Sequence, residues 1–271
     1  MVKRFYVKTP LPLKEFIAQT LKISKNQAKD IIDSRNVLVN SKRVWIATHN
    51  LKEGDVVEII QPQPSNKDQI KIIYEDEFIV AVNKPPTLVS DKEKNSVEYI
   101  LREKLKNEKI KAIHRLDKET SGILLLAKDF NIYERFKDMW DDKNVFKLYL
   151  AISHNEATFT NLTINSEIDG KPAVSHVKLL KKGNGFSYFQ VRIETGRKHQ
   201  IRKHLASIRH PIVGDKVYGV KKLENALVKR VSRQMLHSYK LSFFHPYKNQ
   251  RVDLTAEIPT DFKNVLNFLN F

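Results

Sequence analysis

The chain is expected to fold as an α+β protein in two unequal parts, a small α/β module followed by a larger domain with a mainly antiparallel mixed sheet flanked by helices. Three observations predict this. Segments with a period of two and segments with a period of 3.6 are intermixed along the chain, the pattern of helices laid on an antiparallel sheet. A polar stretch punctuated by proline, Gln61-Pro62-Gln63-Pro64-Ser65-Asn66, interrupts the apolar patterning and reads as a stiff linker. It separates residues 1–60 from residues 67–271. With 271 residues and a hydrophobic fraction of 41%, the chain can bury a sizeable core and is not a disordered polymer.

In the first module, Leu13, Phe16, Ile17 and Leu21 follow Pro12 at helical spacing. Ser24-Lys25-Asn26-Gln27 is a capping box, in which Ser and Gln satisfy free backbone donors at a helix start. The second helix is expected to reach about Ser34, with Ile31 and Ile32 inward and Lys25 and Lys29 one turn apart on another face. Val37-Leu38-Val39 and Val44-Trp45-Ile46 read as hairpin strands around a tight turn at Asn40-Ser41. A third strand, Val56 to Ile60, follows Glu53-Gly54-Asp55. In the second part, strands are expected at Ile70–Tyr74, Phe78–Val82, Phe146–Ile152, His176–Leu180 and Tyr188–Ile193. Helices are expected over 97–106, 131–140, 199–207 and 261–269, the last carrying Phe262, Val265, Leu266 and Leu269 on one stripe.

Lys and Arg number 48 against 31 Asp and Glu, a net charge of +17. Such a surplus suits a polyanionic partner, and nucleic acid is the partner this balance favours over a merely lysine-rich composition. The absence of cysteine excludes disulfides and thiol catalysis. The amino terminus has no apolar segment of signal-peptide length, and runs such as Ile123 to Ala127 are too short to cross a bilayer. A soluble, cytoplasmic protein without a membrane partner is the expectation.

Four strings carry the chemistry. The most informative is His114-Arg115-Leu116-Asp117-Lys118-Glu119-Thr120-Ser121-Gly122, a turn that leads into an apolar strand. Its seven fixed residues, HRLDxxTSG, should arise by chance in about one window in 10⁹. Taken alone, such residues more often form a polar turn than a reactive centre. Asn83-Lys84-Pro85-Pro86-Thr87 follows an earlier strand, and Lys147-Leu148-Tyr149-Leu150-Ala151 puts Lys147, Tyr149 and Ala151 on one strand face. Glu194 to His204 is the richest basic cluster. Its Thr-Gly turn leads to a helix start suited to anions, with Ile201, Leu205 and Ile208 on the buried stripe and Lys198 and Arg202 on another face. Leu236-His237-Ser238 and Leu241 to Pro246 close the set. His237 and His245 lack the acidic or cysteine neighbours of a metal site and read as hydrogen-bonded core residues.

Together these strings resemble the motifs of the RluA family of RNA pseudouridine synthases, "NKPxG", "HRLDxxTSG", "KxYxA", "TGRxHQIRxH" and "LHAxxLxFxHP". Thr87 stands where the family has Gly, and Ser238 where it has Ala. The resemblance implies that Asp117 is the catalytic carboxylate, that Tyr149 stacks on the target base and that Arg202 pairs with the acid. It implies that Arg115 enters the space left by a flipped uridine and that Leu236 walls the uracil pocket. Lys147, Arg197, Lys198, His199 and Gln200 are the further substrate contacts it suggests. Residues 1–60 resemble the S-four-type RNA-binding domain, which adds Lys25 and Lys29 as RNA contacts. The implied partner is ribosomal or transfer RNA rather than DNA, the implied state a monomer, and the reaction an isomerisation that requires no cofactor and no metal. Two other classes stay in view. A non-catalytic ribosome-associated RNA binder would need only the charge. A glycoside hydrolase would need a second carboxylate, for which Glu194 is the one candidate in the motifs.

Overall fold

In the computed structural model, residues 2–33, 37–60, 70–140, 145–220 and 231–271 are described. The chain divides into two units, Met1–Ser65 and Asn66–Phe271. The expected linker at 61–66, the domain start near Lys67 and the helix end at Ser34 lie outside the described residues.

The first unit runs β1 (Val2–Tyr6), β2 (Leu11–Pro12), α1 (Leu13–Leu21), α2 (Lys25–Asp33), β3 (Val37–Val39), β4 (Lys42–Arg43), β5 (Asn50–Leu51) and β6 (Val56–Ile60). An antiparallel sheet in the order β1-β6-β3-β4 shares a core with both helices through Leu13, Ile17, Ala28, Ile32, Val37 and Val57. The capping box forms: Gln27 N donates to Ser24 Oγ at 3.2 Å and Ser24 N to Gln27 Oε1 at 3.0 Å. Asn40 and Ser41 both take positive φ, 50° and 65°, the two-residue turn that matches strand twist. The strand expected at Val44–Ile46 is not there. That hairpin already spends its second strand on Lys42–Arg43. The chain then leaves the sheet so that Ala47 O and His49 O can accept from Lys14 N and Leu13 N, free donors at the start of α1.

The second unit runs β7 (Lys71–Glu75), β8 (Ile79–Lys84), α3 (Val97–Leu105), β9 (Lys111–Ala112), β10 (Ser121–Ala127), α4 (Phe130–Trp140), β11 (Phe146–His154), β12 (Asn161–Asn165), β13 (Val174–Gly183), β14 (Phe186–Ile193), α5 (Gln200–Ser207), β15 (Leu236–His245), β16 (Gln250–Thr255) and α6 (Thr260–Phe268). Its sheet has the order β12-β13-β14-β11-β15-β10-β8-β7, with β16 beside the later part of β15. All seven residues of β10 are buried. Ile123 and Leu125 face a core shared with Phe136 of α4, while Leu124 and Leu126 face one shared with Val97 and Leu101 of α3. Cover on both faces explains its uninterrupted apolar run.

One junction positions everything that follows. Strand β10 meets β15 in a parallel pairing of only two residues, Ser121 with His237 and Gly122 with Ser238. Gly122 has φ of 111°, and a Cβ there would lie 2.1 Å from Ser238 O. Only glycine lets the two backbones approach so closely. The Asp117 turn enters β10 here, beside Leu236 on β15 and Tyr149 on the adjacent β11.

Candidate active site

The turn that carries Asp117 is held from below. Lys84, at the end of β8, is fully buried and donates to Leu88 O at 2.7 Å, Pro85 O at 3.1 Å and Lys118 O at 3.2 Å. Burial, reinforced by the Arg233 cation, pulls its ammonium down to about 7. Thr87 N donates to Lys118 O at 2.8 Å. Thr87 itself sits at φ of 75°, so the turn keeps a left-handed conformation although a β-branched residue occupies it. Ser90 Oγ donates to Leu116 O and accepts from Leu116 N.

Asp117 is 28% exposed through its side chain. Arg202 Nη1 donates to its Oδ2 at 3.0 Å, and Gln234 Nε2 lies 3.3 Å from the same oxygen. The Arg202 guanidinium is itself clamped. Its Nε and Nη2 donate to the two oxygens of Asp215 at 2.7 and 2.9 Å. Asp215 is buried and also accepts from Val217 N and Tyr218 N. Burial pushes the Asp215 carboxyl up, but Arg202 and these amides outweigh it and hold it below the usual carboxylate range. The Tyr218 ring lies 5.1 Å from the guanidinium carbon, and its hydroxyl is 3.1 Å from His199 Nδ1. His199 Nε2 is 3.7 Å from Asp117 Oδ1. His199 has φ of 56° at the start of α5, and its burial lowers the imidazole pKa.

Beside the acid is a recess of about 90 Å³ walled by Leu116, Thr120, Tyr149, Ile193, Ile201 and Leu236. Tyr149 is half-buried, and its desolvation pushes the phenol up to about 12, so the hydroxyl is neutral at physiological pH. The recess adjoins a cleft of about 880 Å³ bordered by Arg115, Trp140, Lys147, Arg197, Lys198, His199 and Lys216.

The residues singled out in the sequence do not all come together. Asp117, Tyr149, Arg202, His199 and Leu236 meet around the recess. Arg115, Arg197 and Lys198 stand on the cleft wall. Arg115 is 66% exposed and 3.0 Å from Asp91, and Arg197 Nε donates to Pro172 O. Two further expected RNA contacts, Gln200 at the recess and Lys147 at the cleft, also bond within the protein. Gln200 is buried, and its amide is spent on Thr195 Oγ1, Arg197 N, Val174 O and Ser175 Oγ, so it braces the turn before α5. Lys147 is 5% exposed and donates to Trp140 O at 3.0 Å, where it supports the cleft wall. Because α5 starts at Gln200, Lys198 precedes the helix and does not share a helical face with Arg202. In the first unit Lys29 is exposed, and Lys25 pairs with Glu15 at 2.8 Å. His237 and His245 are buried core residues. His237 bonds Ser121 Oγ, and His245 Nδ1 accepts from Tyr247 N and Lys248 N. Glu194 pairs with His176 and Arg192 and is not among the residues that line the cleft.

Sequence reasoning missed Asp215, Gln234 and Tyr218. Asp215 follows Gly214 in a loop, 13 residues after Arg202, and nothing in the string distinguishes it from a turn-forming acid.

Comparison with known proteins places the chain in a class of RNA-modifying enzymes. A family model described as RNA pseudouridylate synthase matches residues 78–207, and an S4 domain model matches residues 11–57. A Helicobacter pylori protein named uncharacterized RNA pseudouridine synthase is 32% identical over 95% of this chain and 88% of its own. A Zymomonas mobilis protein named ribosomal large subunit pseudouridine synthase D is 30% identical over 92% of this chain and 90% of its own. Human RNA pseudouridylate synthase domain containing 4 shares the fold, with a TM-score of 0.62 at 22% identity over 73% of this chain and 92% of that one. The chain belongs to the RluA family of RNA pseudouridine synthases and carries an amino-terminal S4 domain. It is an isomerase acting on uridine in RNA.

Proposed function

We propose that the enzyme converts uridines of large-subunit ribosomal RNA to pseudouridine, with Asp117 as the catalytic carboxylate acting on a nucleotide rotated out of its helix. The observation that carries this reading is the Asp117 carboxylate at the recess, fixed 3.0 Å from an Arg202 that Asp215 holds from behind. The reaction breaks the N1–C1′ bond, turns the freed ring and joins C5 to C1′; a proton leaves C5 and one is taken up at N1. Asp117 supplies either the attack on C1′ or the base for the adjacent ribose proton, and both roles need an ionised, oriented oxygen. Tyr149 stacks on the ring while Leu116, Ile193 and Leu236 keep it from escaping into water.

The uridine must leave its stack first, because the bond is out of reach inside a helix. Arg115, exposed at the cleft, fills the gap with its planar guanidinium. The cationic border of the cleft adds salt-sensitive affinity for phosphates. Ribosomal RNA is the acceptor favoured because relatives that match this chain over most of their length bear large-subunit names. Such a substrate fits a cytoplasmic enzyme, and the reading takes it to act as a monomer and on RNA rather than DNA.

The test is a map of pseudouridines in ribosomal and transfer RNA from a strain lacking the gene, complemented with the wild type or with Asp117→Asn. Large-subunit sites that vanish on deletion and return with the wild type alone support the proposal. Sites that vanish only from transfer RNA would reassign the substrate. Sites restored equally by Asp117→Asn would remove Asp117 from the catalytic role, and RNA bound but left unmodified by both proteins would leave a protein whose role is RNA binding.

A further inference from the structure

From the loop between β8 and α3 we infer that Asp91 is a positioning residue for Arg115, setting its guanidinium at the cleft before RNA arrives. This rests on the reading of Arg115 as the side chain that fills the space left by the rotated uridine. Arg115 Nε lies 3.0 Å from Asp91 Oδ1. The two ends of the pair differ in exposure, 66% for the Arg115 side chain against 16% for that of Asp91. The Asp91 oxygen is buried and accepts no aligned hydrogen bond among the described residues. A buried carboxylate oxygen without a donor is costly, so it gains most from the cation beside it. The contact is therefore attraction without a directional bond. That suits a group that must wait at the cleft and then move into a stack of bases.

The fold fixes the acid relative to the arginine. Ser90, next to Asp91, is buried, and its Oγ donates to Leu116 O at 3.1 Å and accepts from Leu116 N at 3.0 Å. Leu116 follows Arg115 directly, so the neighbours of the ion pair are themselves bonded to each other. The start of α3 anchors the same loop: Val97 N donates to Val89 O at 2.9 Å and Glu98 N to Ser90 O at 3.1 Å. An unrestrained arginine spreads over many rotamers, and few of them point into the cleft. A pair with two exposed ends would restrain it little, but here the recessed acid is a fixed post. The guanidinium donates to no aligned acceptor among the described residues, so its fork stays available to phosphate.

The test is a double-mutant cycle on the full-length enzyme: wild type, Asp91→Ala, Arg115→Ala and the double variant, with Asp91→Glu and Asp91→Asn beside them. Single-turnover tritium release from C5-labelled large-subunit ribosomal RNA is measured at saturating enzyme, together with dissociation constants for the same RNA. Asp91→Ala should slow release about tenfold, since the guanidinium is left disordered rather than removed, and Arg115→Ala should be slower still. RNA affinity of Asp91→Ala should stay within about threefold of the wild type. In the Arg115→Ala background the Asp91→Ala change should have no further effect, because nothing is left to position. Asp91→Glu should recover most of the rate and Asp91→Asn should not, because charge does the holding. Equal losses in both backgrounds would overturn the inference and make Asp91 a support of the loop alone. A slow Arg115→Ala beside an Asp91→Ala as fast as the wild type, or faster, would defeat the inference and leave the reading of Arg115 intact. A wild-type rate for Arg115→Ala would defeat that reading and the inference with it. If the wild type releases no tritium from ribosomal RNA, the substrate assignment fails, and the same cycle on transfer RNA decides the role of Asp91.

Discussion

The orientation of Asp117 depends on a residue that never touches the cleft. Arg202 could adopt several rotamers if its only partner were Asp117. The two-point clamp from Asp215 removes that freedom, and the backbone amides of Val217 and Tyr218 fix the clamp in turn. Asp215→Asn keeps the size of the side chain but loses one acceptor and the charge. The expected result is a fall in kcat of about 10- to 100-fold with KM nearly unchanged, since geometry at the acid suffers while RNA contacts persist. Steady-state kinetics on a ribosomal RNA fragment checks this. A rise in KM at constant kcat would show that Asp215 serves binding instead. The opposite design operates at Lys84, which bonds three backbone carbonyls and holds the Asp117 turn from below with its charge out of solvent.

At the scale of elements, the site exists because a nearly all-antiparallel sheet contains one short parallel contact. Strands β10 and β15 touch through Ser121, Gly122, His237 and Ser238, and that contact brings the Asp117 turn against Tyr149 and Leu236. Gly122→Ala should cost more than about 3 kcal/mol, because the new methyl meets Ser238 O at 2.1 Å and the strands must separate. Urea denaturation measures it, and a loss under 1 kcal/mol would mean that the junction yields easily. The start of α5 is a second such device: the buried Gln200 amide bonds four groups and fixes the turn that presents Arg197 to His199.

Across the whole molecule, the buried His237 and the partly exposed His114 contribute to the response to acid. Burial lowers His114 to about 3 and His237 to about 4, whereas in an unfolded chain each titrates near 6.5. Between those values the unfolded state binds more protons, so stability falls as pH drops from about 6.5 towards 4. Each histidine contributes about 1.4 kcal/mol per pH unit at most. Urea midpoints between pH 7 and 4.5 should fall accordingly, less steeply in His237→Gln, and a flat profile would contradict the assignment. The two-part organisation and the helices were legible because their apolar residues recur at regular spacing. That Asp117, Tyr149 and Arg202 meet was legible because each sits in a dense string that resembles a family motif. Asp215, Gln234 and Tyr218 were not, because a clamp assembled across the fold leaves no local spacing to read. The strand expected at Val44–Ile46 misled for a related reason: an apolar run does not say that the backbone has already left the sheet. The central claim concerns one carboxylate, and single-turnover tritium release from C5-labelled ribosomal RNA, with wild type and Asp117→Asn both in excess over RNA, tests it most directly. Asp117→Asn should bind the RNA within about threefold of the wild type and lose at least about 10⁴-fold in rate. A variant that binds as well and releases tritium within tenfold of the wild-type rate would contradict it.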